Sequence, residues 1–314
     1  MLELFTVTER DILALRGPRN PVDPSRPYLW FTERERTADG RIEEVTAIFL
    51  TNKECPFRCL FCDLWKNTTD ERVPPGAVAG QVEFGLAQSP GARHVKLYNS
   101  GNFFDDQAVS KSDRLRIREV LSDVRTVIVE CHPKLVDRRC AEFADGLAPA
   151  LAVGMGLETV DPRMLPRLNK RMALDDYARA TEFLLGRGIV VRAFIMLRTP
   201  FQTEDEGVEW AQRSIDFAFS IGVECCSVIP ARAGNGVMDR LHEQGHFDPP
   251  SLGSMETVAE YGVGLGRGRV FMDMWDIERF YTCRKCGPSR GERLREINLS
   301  QTVPPRIPCT CGTL

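Results

Sequence analysis

Three cysteines stand close together in the run Thr51-Asn52-Lys53-Glu54-Cys55-Pro56-Phe57-Arg58-Cys59-Leu60-Phe61-Cys62-Asp63, with the spacing C-x3-C-x2-C. Three thiolates on one loop can each take one iron of a cubane cluster, which leaves the fourth iron without a protein ligand. An open coordination position is where a metal centre receives substrate, by the logic that separates open catalytic zinc from closed structural zinc. Cys55, Cys59 and Cys62 therefore predict a 4Fe–4S centre built for chemistry. The competing reading is a zinc loop or an unligated thiol group, but structural zinc takes four ligands and no fourth stands nearby in sequence.

Four of the other eight cysteines are also spaced like ligands. Cys283-x2-Cys286 and Cys309-x-Cys311 make two pairs near the end of the chain. Two such pairs can close a tetrahedral zinc site or hold an auxiliary iron–sulfur cluster, and spacing alone leaves both open, with unligated thiols as the third reading. A metal there would supply folding free energy to a tail with few strong helix or strand signals. Cys131, Cys140, Cys225 and Cys226 sit in or beside apolar runs. Packing is their default role, with a substrate-side radical donor as the alternative.

The elements that must position these groups can be read from hydrophobic periodicity. Short apolar runs at Thr46–Leu50, His94–Tyr98, Thr126–Cys131, Ala150–Met155, Ile189–Leu197 and Val223–Ile229 are mostly rich in β-branched residues, as buried strands require. Between them lie helical stripes: Ile117, Val120, Leu121 and Val124; Tyr177, Ala180 and Leu184; and Val208, Ala211, Ile215, Ala218 and Phe219. Six strands alternating with helices predict parallel βα units, short of the eight in a closed barrel. The expected fold is α/β, an open partial (β/α)6 barrel. Residues 1–44, charged and proline-bearing, read as an opening helix and an irregular strap. The barrel core is expected over 45–234, and a C-terminal extension with one more strand at Val270–Trp275 over 235–314. The cysteine loop then follows the first barrel strand, at the end where such folds place active sites.

Composition narrows the function classes. The chain has 314 residues, 43% of them hydrophobic, enough for a large core in one domain or one domain with a small appendage. A formal net charge of −3 provides no global basic field for nucleic acid, so RNA binding would need a local patch. Arg163, Arg167, Lys170 and Arg171 could form one, although a solvated helix face explains them equally well. No signal peptide is expected from the N-terminal residues, and no run of 18 apolar residues predicts a membrane span. Clustered reduced cysteines fit a cytoplasmic location.

The cysteine spacing after a first strand resembles the signature of the radical S-adenosylmethionine superfamily. Further motifs are similar to its Elongator-catalytic-subunit-like branch: Glu130 in "VIVECHPKLV" matches the acidic position of Glu-x-x-Pro, and Gly154-Met155-Gly156-Leu157-Glu158 matches Gly-x-Gly-x-Glu. The order of "LYNSGNFFD", "VGMGLETVDPRMLPRLNK", "VRAFIMLRTPFQTEDEGVEWAQRSI" and "GHFDPPSL" is similar to the archaeosine-biosynthesis members and their bacterial relatives.

The resemblance implies a 4Fe–4S cluster that, with an electron from a flavodoxin- or ferredoxin-type donor, cleaves S-adenosylmethionine. The product is a 5′-deoxyadenosyl radical that abstracts hydrogen from a substrate. It implies that Phe61 packs near the adenine and that Ser100 and Gly101 contact the methionyl amine through backbone atoms, in place of the family's usual Gly-Gly-Glu. It implies cofactor contacts by Glu130 and Glu158, a carboxylate at a strand end being suited to ribose hydroxyls, and Arg192 would neutralise the methionyl carboxylate. A salt-bridged structural charge is the alternative for each of these three. His132 reads as a proton donor or a hydrogen-bonded structural histidine. In the archaeal family the substrate is a lysine-bearing deazaguanine in transfer RNA. The substrate here is therefore a modified deazapurine in tRNA, or else a small metabolite or peptide, and a non-catalytic iron–sulfur or zinc protein is the reading from another class.

Overall fold

The computed structural model describes residues 7–311. The first six residues of the expected strap and the last three of the extension lie outside them. The described residues open with α1 (Glu9–Ala14), capped by Thr8, whose hydroxyl accepts from the Asp11 backbone N–H while the Asp11 carboxylate accepts from that of Thr8. The strands are β1 (Leu29–Arg36), β2 (Ile42–Phe49), β3 (His94–Tyr98), β4 (Thr126–Glu130), β5 (Ala150–Glu158), β6 (Val190–Leu197), β7 (Cys225–Pro230) and β8 (Arg269–Met272). They lie side by side in chain order in one sheet; β1 runs antiparallel to β2, and every later pair is parallel. Helices α2 (Ala77–Ala87), α3 (Lys111–Val120), α4 (Arg138–Asp145), α5 (Leu174–Leu185) and α6 (Glu204–Ser220) make the crossovers, followed by α7 (Val237–Glu243), α8 (Leu252–Gly264) and α9 (Gly287–Ser300).

The sheet curls into the expected partial barrel, with one strand more at each end than the six-strand core. Val270–Trp275 forms its strand only as far as Met272. The strap is not irregular throughout, because residues 29–36 form β1. Its glutamates disguised it: Glu33 and Glu35 point inward to Lys96, at 2.8 and 2.5 Å, so charges occupy positions where an alternating strand would carry apolar residues.

Period-two alternation sorts the strand residues onto two faces. Val95, Leu97, Val127, Val129, Val153 and Val191 turn outward into a core with Val82, Ile117, Phe143, Tyr177 and Ile215 of the helices. The intervening positions line the lumen, and Lys96, Tyr98, Glu130, Glu158 and Arg192 all belong to this second set. The helices begin where local chemistry allows. Ser110 accepts from the Asp113 N–H at the start of α3, and Thr203 with Glu206 forms a reciprocal cap on α6. The outer edge of β8 meets no further strand among the described residues. Instead, side-chain amides of α9 imitate one: Gln301 accepts from the Val270 N–H at 2.8 Å and donates to the Val270 carbonyl at 2.9 Å, and Asn298 does the same at Met272 at 2.8 Å each way.

Candidate active site

The cysteine loop leaves β2 at the carboxyl end of the parallel strands, and four other segments hold it. The Leu60 N–H donates to the Leu168 carbonyl at 2.9 Å, and the Asn169 amide donates to the Arg58 carbonyl at 2.6 Å. The Asn235 amide donates to the carbonyls of Leu60 and Cys62 at 2.8 and 3.2 Å. From the strap, Arg16 and Arg19 grip Glu54 at 2.7 and 2.5 Å, and Arg58 joins them at 3.1 Å. From the end of β3, the Asn102 amide reaches Cys55 Sγ at 3.1 Å while its oxygen accepts from the His132 N–H at 2.5 Å. Asn102 therefore ties the first cysteine to the end of β4. A Cβ on Gly101 would stand 3.1 Å from the Cys55 Cβ, so this turn has room for little more than glycine.

Cys59 is buried, and Cys55 and Cys62 are partly so. Burial pushes the Cys55 thiol up to about 11 and the Cys59 and Cys62 thiols up to about 12. Each thiol also feels the charge of another: Cys62 raises Cys55, Cys55 raises Cys59, and Cys59 raises Cys62. Three thiols packed this way resist ionising on their own. A cationic centre relieves both penalties, because coordination deprotonates a thiol outright. The donor set thus fits a cluster. Asn99 at the end of β3 adds to the fit, since neither its side-chain oxygen nor its nitrogen has a partner, although the residue is buried. Unpaired buried amide atoms are costly unless a ligand takes them.

The structure gathers most of the sequence-predicted residues around this loop. Ser100 adopts the left-handed φ of 52°, and its hydroxyl meets the Tyr28 hydroxyl at 3.1 Å. Glu130 accepts from the Asn99 N–H at 3.2 Å; burial pushes its carboxyl from 4.5 up to about 7, against the pull of the backbone N–H groups of Asn99 and Ser100. Glu158, at a register shift in β5 and with φ of 63°, forms a buried ion pair with Lys170 at 2.5 Å. The Lys170 ammonium lies 5.8 Å from the centre of the Phe61 ring and favours the thiolate forms of Cys59 and Cys55. A Cβ on Gly156 would collide with both members of the pair. His132 stacks on Phe57 at 3.7 Å, and its Nε2 meets the Lys170 carbonyl at 2.9 Å. Burial, helped by the Lys170 charge, lowers its pKa to about 3, so it is held neutral in a structural bond.

Two expectations change. Arg192 does not reach the cysteine loop: it pairs with Glu35, which lies opposite Glu43 near the start of β2, at the strand end away from the cysteines. A guanidinium inside the lumen needs a carboxylate, and β1 supplies one. Nor do Arg163, Arg167, Lys170 and Arg171 form an unpaired basic face. Lys170 is buried on Glu158, Arg163 pairs with Asp161 and Glu206, Arg171 with Glu9, and Arg167 lies over the Phe201 ring at 3.4 Å. Sequence reasoning missed the positioning groups Asn102, Asn235 and Tyr28, because a single polar residue in a turn carries no pattern.

The four C-terminal cysteines converge at the start of α9. Their sulfurs all lie within 4.8 Å of one another, the one such group of potential metal ligands among the described residues.

Comparison with known proteins agrees with this geometry. The profile of the radical SAM superfamily matches residues 50–213. An uncharacterized protein of Methanocaldococcus jannaschii is 23% identical over 94% of this chain and 87% of its own length. Archaeosine synthase subunit beta of Methanosarcina acetivorans is 25% identical over 66% of this chain, which spans 63% of that relative. Among solved structures, the archaeal Elp3 of Methanocaldococcus infernus superposes with a TM-score of 0.52 at 14% identity, covering 70% of this chain and 59% of its own. These relatives fit the Elongator-catalytic-subunit-like branch, and no helix among the described residues is long and apolar enough to cross a membrane. A three-thiol loop at the mouth of a partial barrel, within a family match over more than half its length, makes the chain a member of the radical SAM superfamily, an enzyme whose cofactors are a 4Fe–4S cluster and S-adenosylmethionine.

Proposed function

We propose that this enzyme abstracts hydrogen from a modified deazapurine, carried in tRNA or presented as a smaller nucleoside. The observation that carries the chemistry is the loop bearing Cys55, Cys59 and Cys62 at the carboxyl end of the parallel strands, braced from four other segments. When bound there, the cluster with its open iron supplies reductive cleavage of S-adenosylmethionine to a hydrogen-abstracting 5′-deoxyadenosyl radical.

The chain's own residues bind, orient and shield. Cys55, Cys59 and Cys62 would hold three irons, and Asn102 fixes the first sulfur. Lys170 offsets the negative charge of the thiolates from within a dry pocket, and Glu158 keeps that lysine in place. Ser100, Gly101 and the unpartnered Asn99 amide offer polar atoms to an amino-acid head, Glu130 a carboxylate to ribose hydroxyls, and Phe61 a ring face to a base. Asn99, Ser100, Glu158 and Lys170 are buried, which keeps water from much of a reactive site. Residues 45–234 carry the cofactor-facing groups, the described part of the strap braces them through Arg16 and Arg19, and the C-terminal extension adds Asn235, which helps hold the cysteine loop. A flavodoxin- or ferredoxin-type protein in the cytoplasm would supply the electron.

The deazapurine assignment is supported by the relative named archaeosine synthase subunit beta. The carboxylate partners of Arg163, Lys170 and Arg171 favour a second reading, a substrate smaller than a polynucleotide, because a phosphate would have to displace those carboxylates and Lys170 is buried. Anaerobic incubation of reconstituted protein with S-adenosylmethionine and reductant tests the first step. Wild type should release 5′-deoxyadenosine and Cys59→Ala should not; release by both would defeat the proposal. Salt-sensitive tRNA binding would favour the first substrate, and no binding at low salt the smaller one.

A further inference from the structure

We propose that Cys283, Cys286, Cys309 and Cys311 bind a single tetrahedral zinc ion that fixes the start of α9 and, through α9, the outer edge of the barrel. The decisive observation is how closely the sulfurs converge. Cys283 Sγ lies 4.0 Å from Cys309 Sγ, Cys286 Sγ lies 3.7 Å from Cys311 Sγ, and all four fall within 4.8 Å of one another. An ion with zinc–sulfur bonds of about 2.3 Å at tetrahedral angles sets its four ligands about 3.8 Å apart. A cubane attaches each thiolate to a different iron at a separate corner, so its ligands stand farther apart than those of one ion. The spacing fits one ion, and a tetrahedral all-thiolate set suits zinc. Disulfides do not account for it, because the separations are nearly twice a bonded S–S length of about 2 Å and all four sulfurs share one centre.

The surroundings suit a bound dianionic centre. Backbone N–H groups of Lys285 and Cys286 turn toward Cys283 Sγ, and the Arg290 guanidinium interacts with Cys286 while holding the buried Glu256 of α8 at 2.7 Å. Such partners orient ligands and offset their charge. Cys286 caps α9, and one helix further on Asn298 and Gln301 cover β8. Cys309 and Cys311 bring the end of the described chain back to this point, with Arg293 bonded to the carbonyls of Pro304 and Pro305 on the way.

The test uses the full chain carrying Cys55→Ala, Cys59→Ala and Cys62→Ala, so that its outcome is independent of the radical chemistry. One zinc per chain, lost on adding Cys283→Ser and Cys286→Ser, is expected. A milder variant, Cys311→Ser, changes only an exposed ligand and should weaken zinc retention against a chelator without unfolding the barrel. Cobalt(II) added to the metal-stripped protein should give the visible absorption of a tetrahedral tetrathiolate. About four irons with sulfide in the triple variant would overturn the proposal in favour of an auxiliary cluster. A single iron in place of zinc, or no metal with no cobalt spectrum, would overturn it as well.

Discussion

Glu130 offers the sharpest test, because its burial makes stability depend on pH in a direction opposite to that of most carboxylates. The carboxyl ordinarily ionises at 4.5 and is pushed up to about 7 by desolvation. Between those values the folded chain holds a proton that the unfolded chain has released. Folding then grows less favourable as pH rises through this window and levels off above it. At about 1.4 kcal/mol per pH unit, the cost accumulated between pH 5 and pH 8 is about 2–3 kcal/mol. Glu130→Gln keeps an oxygen for the Asn99 N–H but cannot ionise. Urea unfolding of both proteins without S-adenosylmethionine, under anaerobic reducing conditions, should show the variant gaining that amount relative to wild type from pH 5 to pH 8. Parallel curves within about 0.5 kcal/mol would refute the idea that this carboxyl is desolvated in the fold. The same reasoning predicts that S-adenosylmethionine binds wild type more tightly as pH passes 7, since ribose hydroxyls donate best to the ionised form.

Lys170→Met should destabilise the chain by about 3–5 kcal/mol by leaving Glu158 buried without its partner, and adding Glu158→Gln should restore most of the loss; a single-variant cost below about 1 kcal/mol in urea unfolding would contradict the buried pair. Gly156→Ala places a methyl where that pair sits, and should cost about 1–3 kcal/mol in the same assay, unless the pair is free to move aside. Gln301→Ala removes the two amide bonds to Val270, so exchange of the Val270 N–H should quicken by an amount equivalent to about 1–3 kcal/mol, and unchanged exchange would show that water already serves the β8 edge.

Much of this architecture could be read from pattern. Apolar runs located β3 and β4 within a residue, and the stripes from Tyr177 and Val208 became α5 and α6, because outward strand faces and inward helix faces bury apolar side chains that recur with fixed period. β1 escaped because its inward face carries Glu33 and Glu35, whose partners Lys96 and Arg192 lie 61 and more residues away along the chain. For the same reason Arg192 looked like a ligand contact: a lone buried cation advertises that it needs an anion but not which one. The cysteine loop was legible because ligand spacing is local. Its supports were not, since Asn102, Lys170 and Asn235 reach it from three later segments. The tail pairs were legible as ligands, but the choice between one ion and a cluster needed distances.

The ion network of Lys96, Arg192, Glu33 and Glu35 has a bearing on how the strap strand is anchored to the rest of the sheet. Glu35 is held well below the usual carboxylate range by Arg192 and Lys96 once its burial is overcome, and Lys96 is held above the usual amine range, so both stay charged across ordinary pH. Buried charge of this kind is tolerated only while its partners stay in place. The carboxyl that β1 brings to Lys96 and Arg192 therefore ties the strap strand to β3 and β6 across the sheet. Glu35→Ala would leave two buried cations short of an anion and should cost about 3–5 kcal/mol in urea unfolding, and a loss below about 1 kcal/mol would show that Glu33 or water answers them instead.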